Sequence, residues 1–143
     1  MSIWRVFVHC LVAEAQQRSA SATVNESWDE MRYLMFVCVG ESVELESRER
    51  ARIGPDTEAW VTEMDGRGAR LQGQRLAAPS EATTVRVRHG EVLVSDGPFA
   101  ETKEHIAGFD ILDCADLDAA IEVASKHPVA RFGTLELRPF WEQ

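Results

Sequence analysis

Two apolar runs flank one sharply punctuated loop, and that arrangement limits the chain more than any other feature. Val92-Leu93-Val94 reads as a strand, and so does the run from Ile106 to Leu112. Between them lies Ser95-Asp96-Gly97-Pro98-Phe99-Ala100-Glu101-Thr102-Lys103-Glu104-His105. Gly97 tolerates positive φ, whereas Pro98 fixes φ and has no N–H to give a sheet. The chain must leave a strand, turn, display Glu101, Lys103 and Glu104, and re-enter a sheet. Side chains at alternate positions of an extended segment share a side, so Glu101 and Lys103 can act together. Loops held between strands commonly carry binding groups.

The rest of the chain supplies elements for that sheet. Met31 to Val39 predicts a strand, with Tyr33, Met35, Val37 and Val39 on one face and Leu34, Phe36 and Cys38 on the other. Glu44 to Arg52 predicts a short charged helix, and Gly54-Pro55 an interruption. A second helix is expected over about 55–65, with Thr57, Trp60, Val61 and Met64 on its packed face, stopped by Asp65-Gly66-Arg67-Gly68. Ala69 to Leu76 is a weakly patterned strand. Thr83–Arg88 and Glu91–Ser95 form a hairpin about His89-Gly90, with Val85 and Val87 facing inward. A strand follows from Ile106 to Asp113. Asp116 then caps a helix over 117–126, whose apolar face is Leu117, Ala120, Ile121 and Ala124. Pro128 ends it, and Thr134 to Pro139 alternates as a last strand.

These elements run β-α-β, hairpin, β-α-β: an α+β, ferredoxin-like domain of split βαβ form with an inserted hairpin. One sheet face takes both helices. Val37, Phe36 and the strand Ile106–Leu112 make the other too apolar for water, so a homodimer is expected.

Residues 1–30 stand apart. Ile3 to Ala15 is apolar but broken by Arg5, His9 and Glu14, too short for a membrane span, and Gln16 to Asn25 is linker-like. Either the true start lies near Met31, or residues 1–30 are a natural arm on a 31–143 domain. The formal net charge of −9 argues against direct nucleic-acid binding. Three cysteines, Cys10, Cys38 and Cys114, without a Cys-x-x-Cys pattern predict no zinc site and no disulfide framework, as in a reducing cytoplasm. Gly66-x-Gly68 lacks the rest of a phosphate loop, and no Gly-x-Ser-x-Gly or His-x-x-x-His occurs, so no cofactor or metal is expected.

The run Asp96-Gly97-Pro98-Phe99-x-Glu101-Thr102-Lys103-Glu104, followed by Gly108-Phe109, resembles the signature of the DGPF proteins, part of the YCII-related group of small bacterial domains. The resemblance covers Met31 to about Phe140. It implies a ferredoxin-like fold that pairs sheets into a dimeric α/β barrel. It also implies one role, an accessory protein associated with an extracytoplasmic-function sigma factor. The loop residues themselves point to another, a small-molecule-binding domain or enzyme with its pocket between the sheet and the Asp96–Lys103 loop. Some members resemble enzymes with a His–Asp pair, the His early in the first helix and the Asp before a Pro after the second. This chain has no His at 54–60, and His127 stands before Pro128, so the pair is absent in kind. A reversed pair, Asp56 or Glu58 with His127, is conceivable.

The candidate ligand-binding residues are Asp96, Phe99, Glu101 and Lys103, with Tyr33 and His127 behind them. Phe99 offers an apolar wall, and Lys103 an ammonium suited to holding an anion or polarising a carbonyl. The rival reading is a clasp, with Asp96 capping the turn and Lys103 pairing with Glu104. For His127 the plainer role is a cation at a helix C-terminus. His105 faces either way.

Overall fold

The computed structural model describes residues 31–141; the expectations for residues 1–30 lie outside them. Strand β1 (Met31–Gly40) leads into helix α1 (Ser47–Gly66), β2 (Arg70–Arg75), β3 (Thr83–Arg88) and β4 (Glu91–Asp96). Then come β5 (Glu104–Cys114), helix α2 (Leu117–Ser125), a 3-10 turn over Pro128–Arg131, and β6 (Thr134–Pro139). Four strands form an antiparallel sheet in the order β2-β5-β1-β6, and β3 pairs only with β4 in a separate two-stranded ribbon. The element order and strand order fit a ferredoxin-like arrangement with an inserted hairpin.

Strand alternation divides the sheet into two faces. Tyr33, Met35, Val37 and Leu112 are buried on one, beneath Trp60 and Met64 of α1 and Ala120, Val123 and Ala124 of α2. Leu34, Phe36 and Cys38 lie on the other, beside Phe109 and Ile111 of β5, and are only half-buried. Val37 therefore belongs to the covered face.

Helix α1 departs from expectation: Gly54-Pro55 does not divide it. Pro55 removes one backbone donor, but it lies on the exposed side, where water can reach the carbonyl left without a partner. Thr57 Oγ1 donates to the Ile53 carbonyl at 2.7 Å in the same turn. The helix ends in a Schellman motif. Gly68 has φ +69, Gly68 N–H donates to Asp65 O, and Ala69 N–H donates to Met64 O, each at 3.0 Å. Ala69 and Met64 are both buried, which supplies the apolar contact of that motif.

Helix α2 starts as expected: Asp116 Oδ1 accepts from Ala119 N–H at 2.8 Å. Its packed stripe is Ala120, Val123 and Ala124, whereas Leu117 and Ile121 are about half exposed, at 51% and 49%. Ala120 and Ala124 thus pack as expected, and Val123 takes the place of Leu117 and Ile121.

His89 (φ 52) and Gly90 (φ 84) both adopt positive φ, as a tight hairpin turn with matching twist requires. The ribbon does not point Val85 and Val87 inward. Val85 pairs with Val94 and Val87 with Val92, forming one apolar face that no described residue covers. A ribbon of two strands has no second layer of its own.

Candidate functional site

Among the described residues, two hollows bring candidate side chains together. The larger, of about 1030 Å³, lies between the 76–82 segment and the 98–106 loop. Phe99, Glu101 and Lys103 line it together with Glu41, Glu81, Glu104, His105 and Ile106. Phe99 is 79% exposed and forms an open apolar wall. Asp96, by contrast, ends β4 opposite Thr83 and is not among the lining residues. Tyr33 is buried in the core beneath the helices, where burial raises its pKa, and it lines neither hollow.

The loop is anchored by its backbone. Gly97 has φ +90, its N–H donates to Ala82 O at 2.7 Å, and its carbonyl accepts from Thr84 Oγ1 at 2.8 Å. At the far end, Glu41 N–H donates to Lys103 O at 3.3 Å. The clasp reading expected a Lys103–Glu104 ion pair. Instead Glu104 Oε1 accepts from Thr134 Oγ1 at 3.0 Å, and Lys103 makes no ion pair among the described residues. Glu104 also starts β5, so the strand begins earlier than the apolar run suggested.

His105 reaches the hollow through a break in strand alternation. Val37 pairs with Gly108 and Cys38 with Ile106, leaving Ala107 as an extra residue in β5. That bulge turns the next residues over, so Ile106 shares the open face with Cys38 and His105 shares the covered side with Val39. His105 Nδ1 is shut off from solvent and has no hydrogen-bond partner.

The smaller hollow, of about 380 Å³, is lined by Asp56, Trp60, Glu63, Lys126, His127 and Arg131, among others. It brings Asp56 and His127 to one place, but each is already engaged. Asp56 Oδ2 accepts from Arg131 Nη2 at 2.7 Å, which holds its carboxyl below the ordinary range. His127 Nδ1 accepts from Val129 N–H at 3.1 Å, capping the 3-10 turn. Glu58 is exposed and does not line this hollow.

His127 is not the exposed cation expected of a helix end. It is 5% exposed and stands edge-on to Trp60, with ring centroids 4.6 Å apart. Burial, then the nearby Arg70 charge, push its pKa down to about 4, so the ring is neutral near pH 7. The cue missed in the sequence was Trp60, whose partner across the fold could not be known.

Beneath the helices runs a buried ion pair. Arg70 Nε donates to Asp110 Oδ1 at 2.6 Å, and Arg70 Nη1 donates to Asp65 Oδ1 at 2.9 Å. These bonds tie β2 to β5 and to the end of α1. Cys38 and Cys114 are free thiols, and burial raises the pKa of both. No helix among the described residues is long and apolar enough to cross a membrane.

Residues 31–143 match the YCII-related domain, and the chain belongs to that family. It is also similar to an uncharacterized protein of Rhizobium meliloti (strain 1021), 46% identical over 67 residues. The match covers 46% of this chain and 54% of that protein, so the chain spans about half the length of the curated relative it matches.

Proposed function

We propose that this chain is a small-molecule-binding domain whose ligand occupies the larger hollow, beside the Asp96–Lys103 loop. One observation carries the reading: Phe99, Glu101 and Lys103 line a single hollow of about 1030 Å³. An apolar wall with a few oriented polar groups is the common composition of a ligand site. The turn at Gly97-Pro98 holds these groups in place, so little ordering is lost on binding. Binding, rather than turnover, is proposed because the family's His–Asp pair is not matched and the two groups of the reversed pair are held by other partners.

The domain acts as a homodimer of the α/β-barrel type, in a reducing, cytoplasmic setting. The half-buried stripe of Leu34, Phe36, Phe109 and Ile111 and the uncovered ribbon valines support pairing with a second copy. The family resemblance supplies a second reading, an accessory protein of an extracytoplasmic-function sigma factor, and the formal net charge of −9 is compatible with docking on a basic face.

Thermal-shift screening of wild type and Lys103→Met against a small-molecule library separates these readings. The binding reading expects folding close to wild type in Lys103→Met, with loss of the wild-type ligand response. A variant that melts early, with a wild type that responds to nothing, removes the pocket. Salt-sensitive binding of a purified sigma factor would then favour the second reading.

A further inference from the structure

We propose that His105 orients the ligand in the larger hollow, and that this ligand is an uncharged molecule carrying a carbonyl group. The inference rests on the hollow being the binding site. Three observations support it.

The first is the bulge. An extra residue at Ala107 leaves one position of β5 without a partner in β1. Its effect is to move His105 off the open sheet face and onto the side of Val39. Bulges recur beside active sites because they re-aim a side chain in this way.

The second is the imidazole itself. His105 lines the hollow while its Nδ1 is closed off and unpartnered. A proton on Nδ1 would be a buried donor without an acceptor, a more costly arrangement than a buried lone pair. Of the two tautomers, the one with its proton on Nε2 leaves only a lone pair at the closed-off Nδ1, and Nε2 then acts as a donor toward the hollow.

The third is the charge around it. Lys103 supplies a second donor, free of ion pairs among the described residues. Glu41, Glu81, Glu101 and Glu104 line the same hollow. Four carboxylates against one ammonium repel a free carboxylate or phosphate, yet two donors still call for an acceptor. A neutral carbonyl oxygen answers both conditions. Phe99 and Ile106 give the remainder of the molecule an apolar surface.

The test uses three probes that share one ring: benzamide, benzoate and benzylamine. Binding is followed by NMR of the full chain with ¹⁵N-labelled histidine, which also reports the tautomer. Benzamide should saturate and shift the His105 ring signals, with the proton on Nε2, and benzoate should bind about tenfold more weakly or worse. His105→Phe should weaken benzamide by about tenfold, whereas His105→Gln, which keeps an N–H near the Nε2 position, should retain most of the affinity. Circular dichroism and melting of both variants verify folding. If Lys103→Met abolishes benzamide binding but His105→Phe does not, the role of His105 is overturned and the hollow stands. A preference for benzylamine or benzoate overturns the carbonyl assignment. If no probe perturbs any residue lining the hollow, the site and this inference both fall.

Discussion

Asp110 Oδ1 occupies the space that a side chain at Gly73 would need: a Cβ there would lie 1.8 Å from it. The two residues face each other across β2 and β5, and the Arg70–Asp110 ion pair lies over the glycine. The packing of Arg70 against β5 thus depends on a missing side chain opposite.

Gly73→Ala should force the Asp110 carboxylate aside and leave a buried charge without its partner. The cost is expected to be about 3 kcal/mol, in the range for breaking buried pairs. Asp110→Ala should cost a similar amount. Because both act through the same bond, the double variant should lose clearly less than the sum. Urea titrations of the four proteins would show it; strict additivity would mean that the glycine matters for another reason.

Burial of His127 gives the fold a dependence on pH. Its folded pKa is about 4, against an ordinary 6.5. Above pH 6.5 the ring is neutral in both states, and the full stability is present. Between 6.5 and 4 the unfolded chain takes up a proton that the folded chain refuses, so stability falls as the pH drops. The loss approaches about 3 kcal/mol at the bottom of that window. Glu122, which Arg67 and Lys126 hold at about 2, adds a loss only as the pH falls below its ordinary 4.5. Urea midpoints at pH 7 and pH 4.5 should therefore differ in wild type, and His127→Gln should flatten most of the difference.

Trp60 joins the two helices. Its Nε1–H donates to the Val123 carbonyl of α2 at 3.0 Å, and its ring meets His127. Trp60→Phe keeps an aromatic ring but leaves that buried carbonyl without its donor. A loss of about 2 kcal/mol is expected. Denaturant unfolding measures it; a change under about 0.5 kcal/mol, the scale of an ordinary surface substitution, would show that water replaces the indole.

Pairing through the open face predicts a mass twice the 16.0 kDa of one chain by light scattering at micromolar concentration. Phe36→Asp places a charge in the centre of that face and should yield monomers without unfolding the domain. Phe36 is half-buried and outside the main core, so the substitution leaves the helix-covered side intact. Wild type running as a monomer would refute the pairing.

Strand β1, the Asp116 cap of α2 and the His89-Gly90 hairpin were all legible in the sequence, because each depends on neighbours along the chain. The loop hollow was legible in part for the same reason: Gly97-Pro98 determines where Phe99 and Lys103 emerge. What failed depended on partners distant in sequence. A Gly-Pro pair reads as a break, yet helix α1 absorbs Pro55 on its wet side. Strand β2 looked weakly patterned because Leu71 is an extra residue between the Arg70 and Gln72 pairings, which spoils its alternation. His105 could not be assigned a side, since the residue that decides it, Ala107, is unremarkable in the sequence and extra only relative to β1. His127 looked like a surface cation because the indole that covers it comes from the other helix.

The extra residue in β5 also separates two evolutionary problems. From Gly108 onward, every second residue of the strand is answerable to the helix-covered core, and few substitutions can survive there. On the near side of Ala107 the phase is reversed, so Glu104, His105 and Ile106 answer to the hollow instead. Changes in those three residues leave the hydrophobic register beyond the bulge undisturbed. Deleting the single residue would couple the two halves again, and a change beside the hollow would then be felt in the core.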